Sequence, residues 1–271
     1  MDLSLSAVAT MARKEFYTYL KTKRLIIMGG LYMAGFLGAT IIMCYYKTPD
    51  VFREVIANAH SLSNIFYILL PIALSYDLIV REKSRKSFLL LLSKPITRTE
   101  VVVGKFVGIF SVICAVTVPI ATIGHLIAAV TLGNPGVADL GRAYAFLGII
   151  LLGAACYVSL SLLFSTTSST SGTALISSLI VGWFGLNMLY PVVNLAYALA
   201  GHSNGTPIAA KAVYLLSPSN NVNAAMEILS KEIMGFSTLG PVSPAQSIVA
   251  LVIFLGATLT SVLWLFRKKD L

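Results

Sequence analysis

The sequence predicts an all-α integral membrane protein: six transmembrane helices, an N-terminal amphipathic helix in the membrane interface, and a cytoplasmic hairpin between the second and third spans. Three observations carry that prediction. Hydrophobic residues make up 57% of the 271 positions and charged residues only 11%, too little charge to cover a soluble domain of this length. Continuous apolar runs reach the ~20 residues that cross a bilayer, whereas a barrel strand would alternate over ~10 residues. Lys and Arg gather beside alternate runs, which sets the orientation of the spans.

The elements follow in order. Leu5, Val8, Ala9, Ala12, Phe16, Tyr19 and Leu20 fall on one face of a helix, while Thr10, Lys14 and Lys21 point away. Residues 1–24 therefore read as a helix lying in the cytoplasmic interface before the first span. The spans run roughly Leu25–Tyr46, Leu62–Val80, Phe106–Leu132, Ala143–Phe164, Gly172–Leu199 and Ser247–Phe266. Pro119 and Pro191 should kink the third and fifth, their freed carbonyls being satisfied by neighbouring spans. Residues 200–246 form an outer loop with helix-like pieces at Ala209–Leu216 and Asn223–Met234, separated by Ser217-Pro218-Ser219. Val222, Met226, Ile228, Leu229 and Ile233 make these pieces shallow or re-entrant helices against the outer leaflet. No outer segment is long enough for a separate domain of ~50 residues, so residues 1–271 read as one transmembrane domain.

The charges orient the chain. One side carries Arg13, Lys14, Lys21, Lys23 and Arg24, then Arg81, Lys83, Arg85, Lys86, Lys94, Arg98 and Lys105, then Arg267, Lys268 and Lys269. The other has only Lys47, Arg53, Arg142, Lys211 and Lys231. Positive residues stay inside, so both termini are expected in the cytosol of a multi-pass protein of the cytoplasmic membrane. The first apolar run is too long for a cleaved signal peptide and follows a charged helix. The net charge of +9 then reflects orientation and contact with anionic lipid, and nucleic acid is not implied.

The basic segment 81–100 is more than a tether. Phe88 to Leu92 is an apolar run set among charges, and Ser93-Lys94-Pro95 breaks the chain after it. Thr97-Arg98-Thr99-Glu100 has capping-box spacing and marks re-entry into the membrane. Gly104 and Gly108 allow a close helix approach in the third span.

Other candidates carry less. Gly201-His202-Ser203-Asn204-Gly205 spells a nucleophile elbow, but a membrane span precedes it where a strand is required. Cys44, Cys114 and Cys156 lie inside apolar runs without metal-like spacing and read as packing residues. Asp77 is placed to pair with Arg81 at i+4. His125 lies near bilayer depth, where an ionisable residue is a pathway candidate, although no acidic partner at matching depth is evident. Gly104-Lys105 lacks the glycine five residues upstream that a Walker A loop needs, and no His/Glu/Asp cluster has metal spacing.

The chain resembles the permease subunits of type-2 ABC transporters along nearly its whole length. The shared features are Ala12-Arg13-Lys14-Glu15-Phe16, Arg81-Glu82-Lys83, Leu89-Leu90-Leu91-Leu92-Ser93-Lys94-Pro95-Ile96-Thr97-Arg98 and Gly104-Lys105. Leu162-Leu163-Phe164-Ser165 with its following Ser/Thr run, and Leu216-Ser217-Pro218, extend the likeness. Lys86-Ser87 departs from the Gly-Thr-like pair the family would place there. The small outer loops are more similar to the permeases of copper-site maturation and of sodium or drug efflux than to polysaccharide exporters.

The resemblance implies an exporter subunit that dimerises with a second permease copy or a paralogue and binds two cytosolic ATPase subunits. ATP and magnesium then belong to those subunits, and this chain has no enzymatic activity or cofactor of its own. It also implies that the 81–100 hairpin is the coupling element. Phe88, Leu89, Leu91 and Leu92 would fill an apolar groove on the ATPase, with Arg81, Glu82, Lys83, Arg85, Lys86, Pro95 and Arg98 around them. One alternative is a complex of the same build that uses ATP force on a membrane protein or lipid. An ATP-independent secondary transporter would need an ion-binding constellation at mid-depth and an inverted repeat, and the sequence has neither.

Overall fold

The structure, a computed structural model, describes residues 4–46, 51–84, 97–133, 135–200, 208–230, 232–233, 236–237 and 241–268. Among them every regular element is helical apart from a two-residue antiparallel ladder, Glu232–Ile233 against Phe236–Ser237. Six helices are long and apolar enough to cross a membrane, and the protein is a multi-pass membrane protein.

Helix α1 (Leu5–Leu20) leads into α2 (Lys23–Tyr46), the first span. A helix absent from the sequence reading, α3 (Phe52–Leu62), comes next. It is too short to span, and Arg53, Glu54 and His60 interrupt its apolar character, yet it buries Phe52, Val55, Ile56 and His60 against α2 and the third span. The second span is two pieces, α4 (Asn64–Ser75) and α5 (Val80–Ser84), joined by a turn. The apolar run alone predicts one helix, Leu62–Val80. At the break the N–H groups of Ile79 and Val80 donate to Ser165 Oγ at 3.0 and 3.1 Å. A hydroxyl from the fourth span thus replaces helical carbonyls, which the chain's own periodicity does not reveal.

The third span, α6 (Arg98–Leu132), and the fourth, α7 (Val137–Thr167), overrun the expected boundaries. Helix α6 continues through Pro119. The fifth span, α8, covers Ser171–Leu199 and contains a π-helical turn at Ile180–Gly185, so its irregularity lies upstream of Pro191. The sixth, α11 (Pro244–Lys268), closes the bundle.

Between the last two spans lie α9 (Ile208–Leu216) and α10 (Pro218–Ala225), followed by a 3₁₀ turn at Met226–Ile228. The second outer helix begins five residues before its expected start at Asn223. Ser217 is its N-cap and Pro218 occupies the first turn, where a missing N–H costs nothing. Ser217-Pro218-Ser219 therefore starts a helix as well as ending one. The turn inserts between spans four and five. Ser217 and Ser219 donate to Asn187 Oδ1, and Ser219 N–H donates to Tyr157 OH at 3.2 Å. Tyr157 lies about 12 Å along α7 from Ser165 at 1.5 Å per residue, so these short helices reach well into the bundle.

The fourth span is the core: 78% of its most apolar window is buried, against 11% in each of the fifth and sixth. Glycine permits the tight contacts around it. A Cβ on Gly153 would lie 2.6 Å from Val222 Cγ2. Spans five and six present apolar side chains such as Phe184, Val192, Ile253 and Trp264 outward.

Candidate functional site

The ends of several elements converge at one end of the bundle. Thr97 caps α6 by accepting from Glu100 N–H, and Glu100 Oε2 accepts from Thr97 N–H at 2.7 Å, as the capping-box spacing predicted. The other carboxylate oxygen, Oε1, accepts from Ser4 N–H at 2.7 Å. Ser4 begins α1 and has no side-chain cap of its own. One carboxylate thus holds the starts of two helices, where their dipoles favour negative charge.

Helix α1 lies along the first turns of α6. A Cβ on Gly104 would sit 2.7 Å from Met11 Cβ, and one on Gly108 would sit 2.8 Å from Ala12 O. The glycines let the two backbones meet. The stripe that α1 buries is Met11, Glu15 and Tyr19. The expected apolar face lies partly beside it, and Leu5 is 82% exposed. The correction has an electrostatic cause. Glu15 turns inward because Lys105, 1% exposed, donates to its Oε1 at 2.9 Å. Lys105 also meets Glu82 Oε1 at 2.8 Å, and Lys14 approaches the same oxygen at 3.8 Å. The buried Lys105 is thus neutralised by carboxylates, as a buried ion requires.

A second cluster adjoins the first. Asp77, 2% exposed, accepts from Arg24 Nη1 at 2.9 Å and from the Tyr19 hydroxyl at 3.2 Å. The expected partner, Arg81, is farther away at 3.8 Å. Burial and then the Asp77 carboxylate raise the Tyr19 hydroxyl well above its ordinary range, so it remains a donor. The end of the sixth span joins the same region. Arg98 Nη1 donates to Phe266 O at 3.2 Å, and Arg267 Nη2 donates to Thr99 Oγ1 at 3.0 Å. Helix α1, the end of the second span, the start of the third and the end of the sixth therefore share one end of the bundle.

The sequence model of the family described as "ABC-2 family transporter protein" matches residues 9–271. This chain belongs to the ABC-2 transporter family. The chain is 25% identical over 284 residues to the "Probable ABC transporter permease protein NosY" of Pseudomonas aeruginosa, covering 98% of this chain and 100% of that one. It is also 25% identical over 277 residues to the protein of the same name from Stutzerimonas stutzeri, covering 98% and 99%. It is thus a membrane permease of an ABC transporter.

The candidate residues read from the sequence fall into three groups. Arg81, Glu82 and Lys83 lie on α5 and Arg98 at the start of α6, all at the shared end. There Glu82 meets Lys105 and Arg98 caps the sixth span. Arg85, Lys86, Phe88, Leu89, Leu91, Leu92 and Pro95 lie outside the described residues. His125 is far along α6, 1% exposed, with Nε2 3.4 Å from His60 Nε2. His60 Nδ1 is 2.6 Å from the Tyr67 hydroxyl, which lies 3.4 Å from that of Tyr32. His125 thus ends a buried polar row enclosed by Phe36, Phe52 and Tyr144.

Glu15, Tyr19, Arg24 and Lys105 were not assigned site roles from sequence. The available signal was a lysine inside the first turns of an apolar run, since an unpartnered charge there is costly. Its partners come from 90 residues earlier and 23 earlier, and no local pattern names them.

Ser165 gives a direct test of the broken second span. Ser165→Ala removes the acceptor for two buried N–H groups, at about 1–3 kcal/mol for each group left unsatisfied. Hydrogen exchange followed by mass spectrometry should show faster exchange over 79–84 and little change in α11. Unchanged exchange at Ile79 and Val80 would refute the cap.

Proposed function

We propose that this permease is the membrane-spanning subunit of an ATP-driven exporter in the cytoplasmic membrane, with both termini in the cytosol. It pairs with a second permease copy or a paralogue, and the pair binds two separate cytosolic ATPase subunits. ATP hydrolysis, with its magnesium, takes place on those subunits. The hairpin 81–100 receives their motion.

The observation that carries this reading is the ion cluster at the hairpin's base. Glu82 is on the arm that leaves the membrane and Lys105 on the arm that returns, 2.8 Å apart and also joined to α1 through Glu15. A force on the hairpin tip would move both arms and α1 together, and α5 and α6 would carry it into the bundle as a rigid-body tilt. A flexible tether would dissipate that force.

The test is detergent co-purification with the ATPase encoded beside this chain in its host. Wild type should capture a subunit with Walker motifs. The Phe88→Ala/Leu91→Ala variant should lose it, since truncating central apolar anchors costs about 2 kcal/mol or more apiece. Undiminished capture by a folded double variant would remove the hairpin as the coupling surface.

A further inference from the structure

Helix α3 is too short to span, yet it carries His60 into the bundle to meet His125 of the third span. Their Nε2 atoms are 3.4 Å apart. The other nitrogen of His60, Nδ1, is 2.6 Å from the Tyr67 hydroxyl, and that hydroxyl is 3.4 Å from the hydroxyl of Tyr32. Helices α2, α4, α3 and α6 thus contribute one proton-carrying group each to a single buried row. The two ends of the row differ. His125 Nδ1 has no hydrogen-bond partner among the described residues, and Phe36, Phe52, Phe146 and Tyr144 ring the imidazoles. At the other end Tyr32, Tyr67 and Thr117 line a cavity of about 10 Å³, close to the ~10–15 Å³ that one water needs.

The protons can be counted. Each neutral imidazole carries one N–H and each tyrosine one O–H, so four protons serve three contacts. Two orders satisfy all three. In the first, every donor points toward His125, with His60 protonated at Nε2 and His125 at Nδ1. In the second, every donor points toward Tyr32, with His60 protonated at Nδ1 and His125 at Nε2. A proton arriving at the Tyr32 oxygen sends the Tyr32 proton to Tyr67, the Tyr67 proton to His60 Nδ1 and the His60 proton to His125 Nε2. The proton on His125 Nδ1 then leaves, and the first order has become the second. The row holds four protons and no net charge before and after, which avoids the cost of a lasting buried ion. The two contacts of 3.4 Å are longer than ordinary hydrogen bonds, so both must tighten as a proton passes.

We propose that Tyr32, Tyr67, His60 and His125 form a proton relay inside the permease, running between a water in the cavity and His125 Nδ1. Chains of such groups inside a membrane serve this purpose. Charged side chains on the same helices stand away from it. Near the starts of α3 and α7, Arg53 pairs with Asp139 at 3.1 Å, Arg142 approaches the same carboxylate at 3.9 Å, and Glu54 follows Arg53. Those of α2 and α6 gather at the opposite end, and α4 has none. Tyr144 is the other titratable ring beside His125, its hydroxyl 3.5 Å from Thr122 Oγ1. The relay goes beyond the exporter reading and depends on neither an ATPase nor a direction of transport.

Solid-state NMR of the full-length permease, ¹⁵N-labelled at histidine in phosphatidylcholine nanodiscs, tests it. The chain has three histidines, so a His202→Gln background leaves only the two of the row. They should hold opposite tautomers, the Nδ1–H fraction of one equalling the Nε2–H fraction of the other. Tyr67→Phe keeps the ring and removes one link, so exchange of both imidazole N–H groups with deuterated water should slow at least tenfold while the tautomers stay opposite. Tyr32→Phe removes the link beside the cavity and should slow exchange as much, which keeps the test standing if Tyr67→Phe does not fold. The same tautomer at both histidines would overturn the proposal, as would unchanged exchange in a folded tyrosine variant. So would a shift of both Nε2 signals with one equivalent of zinc, since the two nitrogens would then share a metal ion.

Discussion

Lys105→Ala is expected to destabilise the permease by about 3–5 kcal/mol, the usual cost of removing one partner from a buried ion pair. The lysine is 1% exposed and lies within 2.9 Å of two carboxylates, one 3% and the other 13% exposed. Without it, Glu15 and Glu82 lose the cation they share, and Lys14 stands 3.8 Å from Glu82. Denaturation of the purified protein by titration with sodium dodecyl sulfate would measure the loss. A triple variant, Lys105→Met with Glu15→Gln and Glu82→Gln, should recover most of it, because replacing a whole buried ion group by neutral residues is often neutral or stabilising. The triple variant also separates stability from function. It keeps a folded chain but removes the ties between α1 and the hairpin arms. ATPase stimulation by the permease should therefore fall in the reconstituted complex while the ATPase subunit is still captured. A Lys105→Ala protein within 1 kcal/mol of wild type would show that the cluster is solvated and mechanically unimportant.

Gly108→Leu should lift α1 from the bundle. The first side-chain atom would meet backbone, Ala12 O at 2.8 Å and Ala12 Cα at 3.2 Å, as well as Glu15 Cβ at 2.8 Å. Backbone cannot rotate away as a side chain can. Overpacking alone costs about 1–3 kcal/mol, and displacement of α1 would also separate Glu15 from Lys105 and Tyr19 from Asp77. The readout is maleimide labelling of Met11→Cys, at a position 4% exposed. Labelling should be slow with Gly108 present and at least tenfold faster with Gly108→Leu. Gly38→Leu is the matched control, because a Cβ there meets nothing within 4 Å. Equal labelling in both backgrounds would mean that α1 does not rest on the Gly104–Gly108 seat.

The two expected effects come from opposite kinds of residue, and their legibility differs accordingly. The Gly104–Gly108 spacing and the Thr97–Glu100 box are local patterns. The sequence states them directly, and α6 uses both. The Lys105 cluster is assembled from α1, α5 and α6. Its lysine could be noticed as a charge in a membrane helix, but its partners could not be named. Ser165 belongs to a stretch notable for family likeness, yet its contact with Ile79 and Val80 is a long-range hydrogen bond. Helix α3 is not legible from periodicity because it is short and carries charge at its start, although the fold buries most of its length. The apolar face of α1 follows from periodicity alone, which cannot anticipate a glutamate drawn inward by a buried lysine.

The membrane class, the six spans, the cap of α6 and the family are legible along the chain. These depend on composition, run length and neighbours within a turn or two, all of which act along the chain. Which charges are buried together, where the second span breaks and how α9 and α10 insert among the spans depend on contacts between distant elements. Desolvation is the reason. A buried ion or an interrupted helix is tolerable only when a compensating group arrives from elsewhere in the fold.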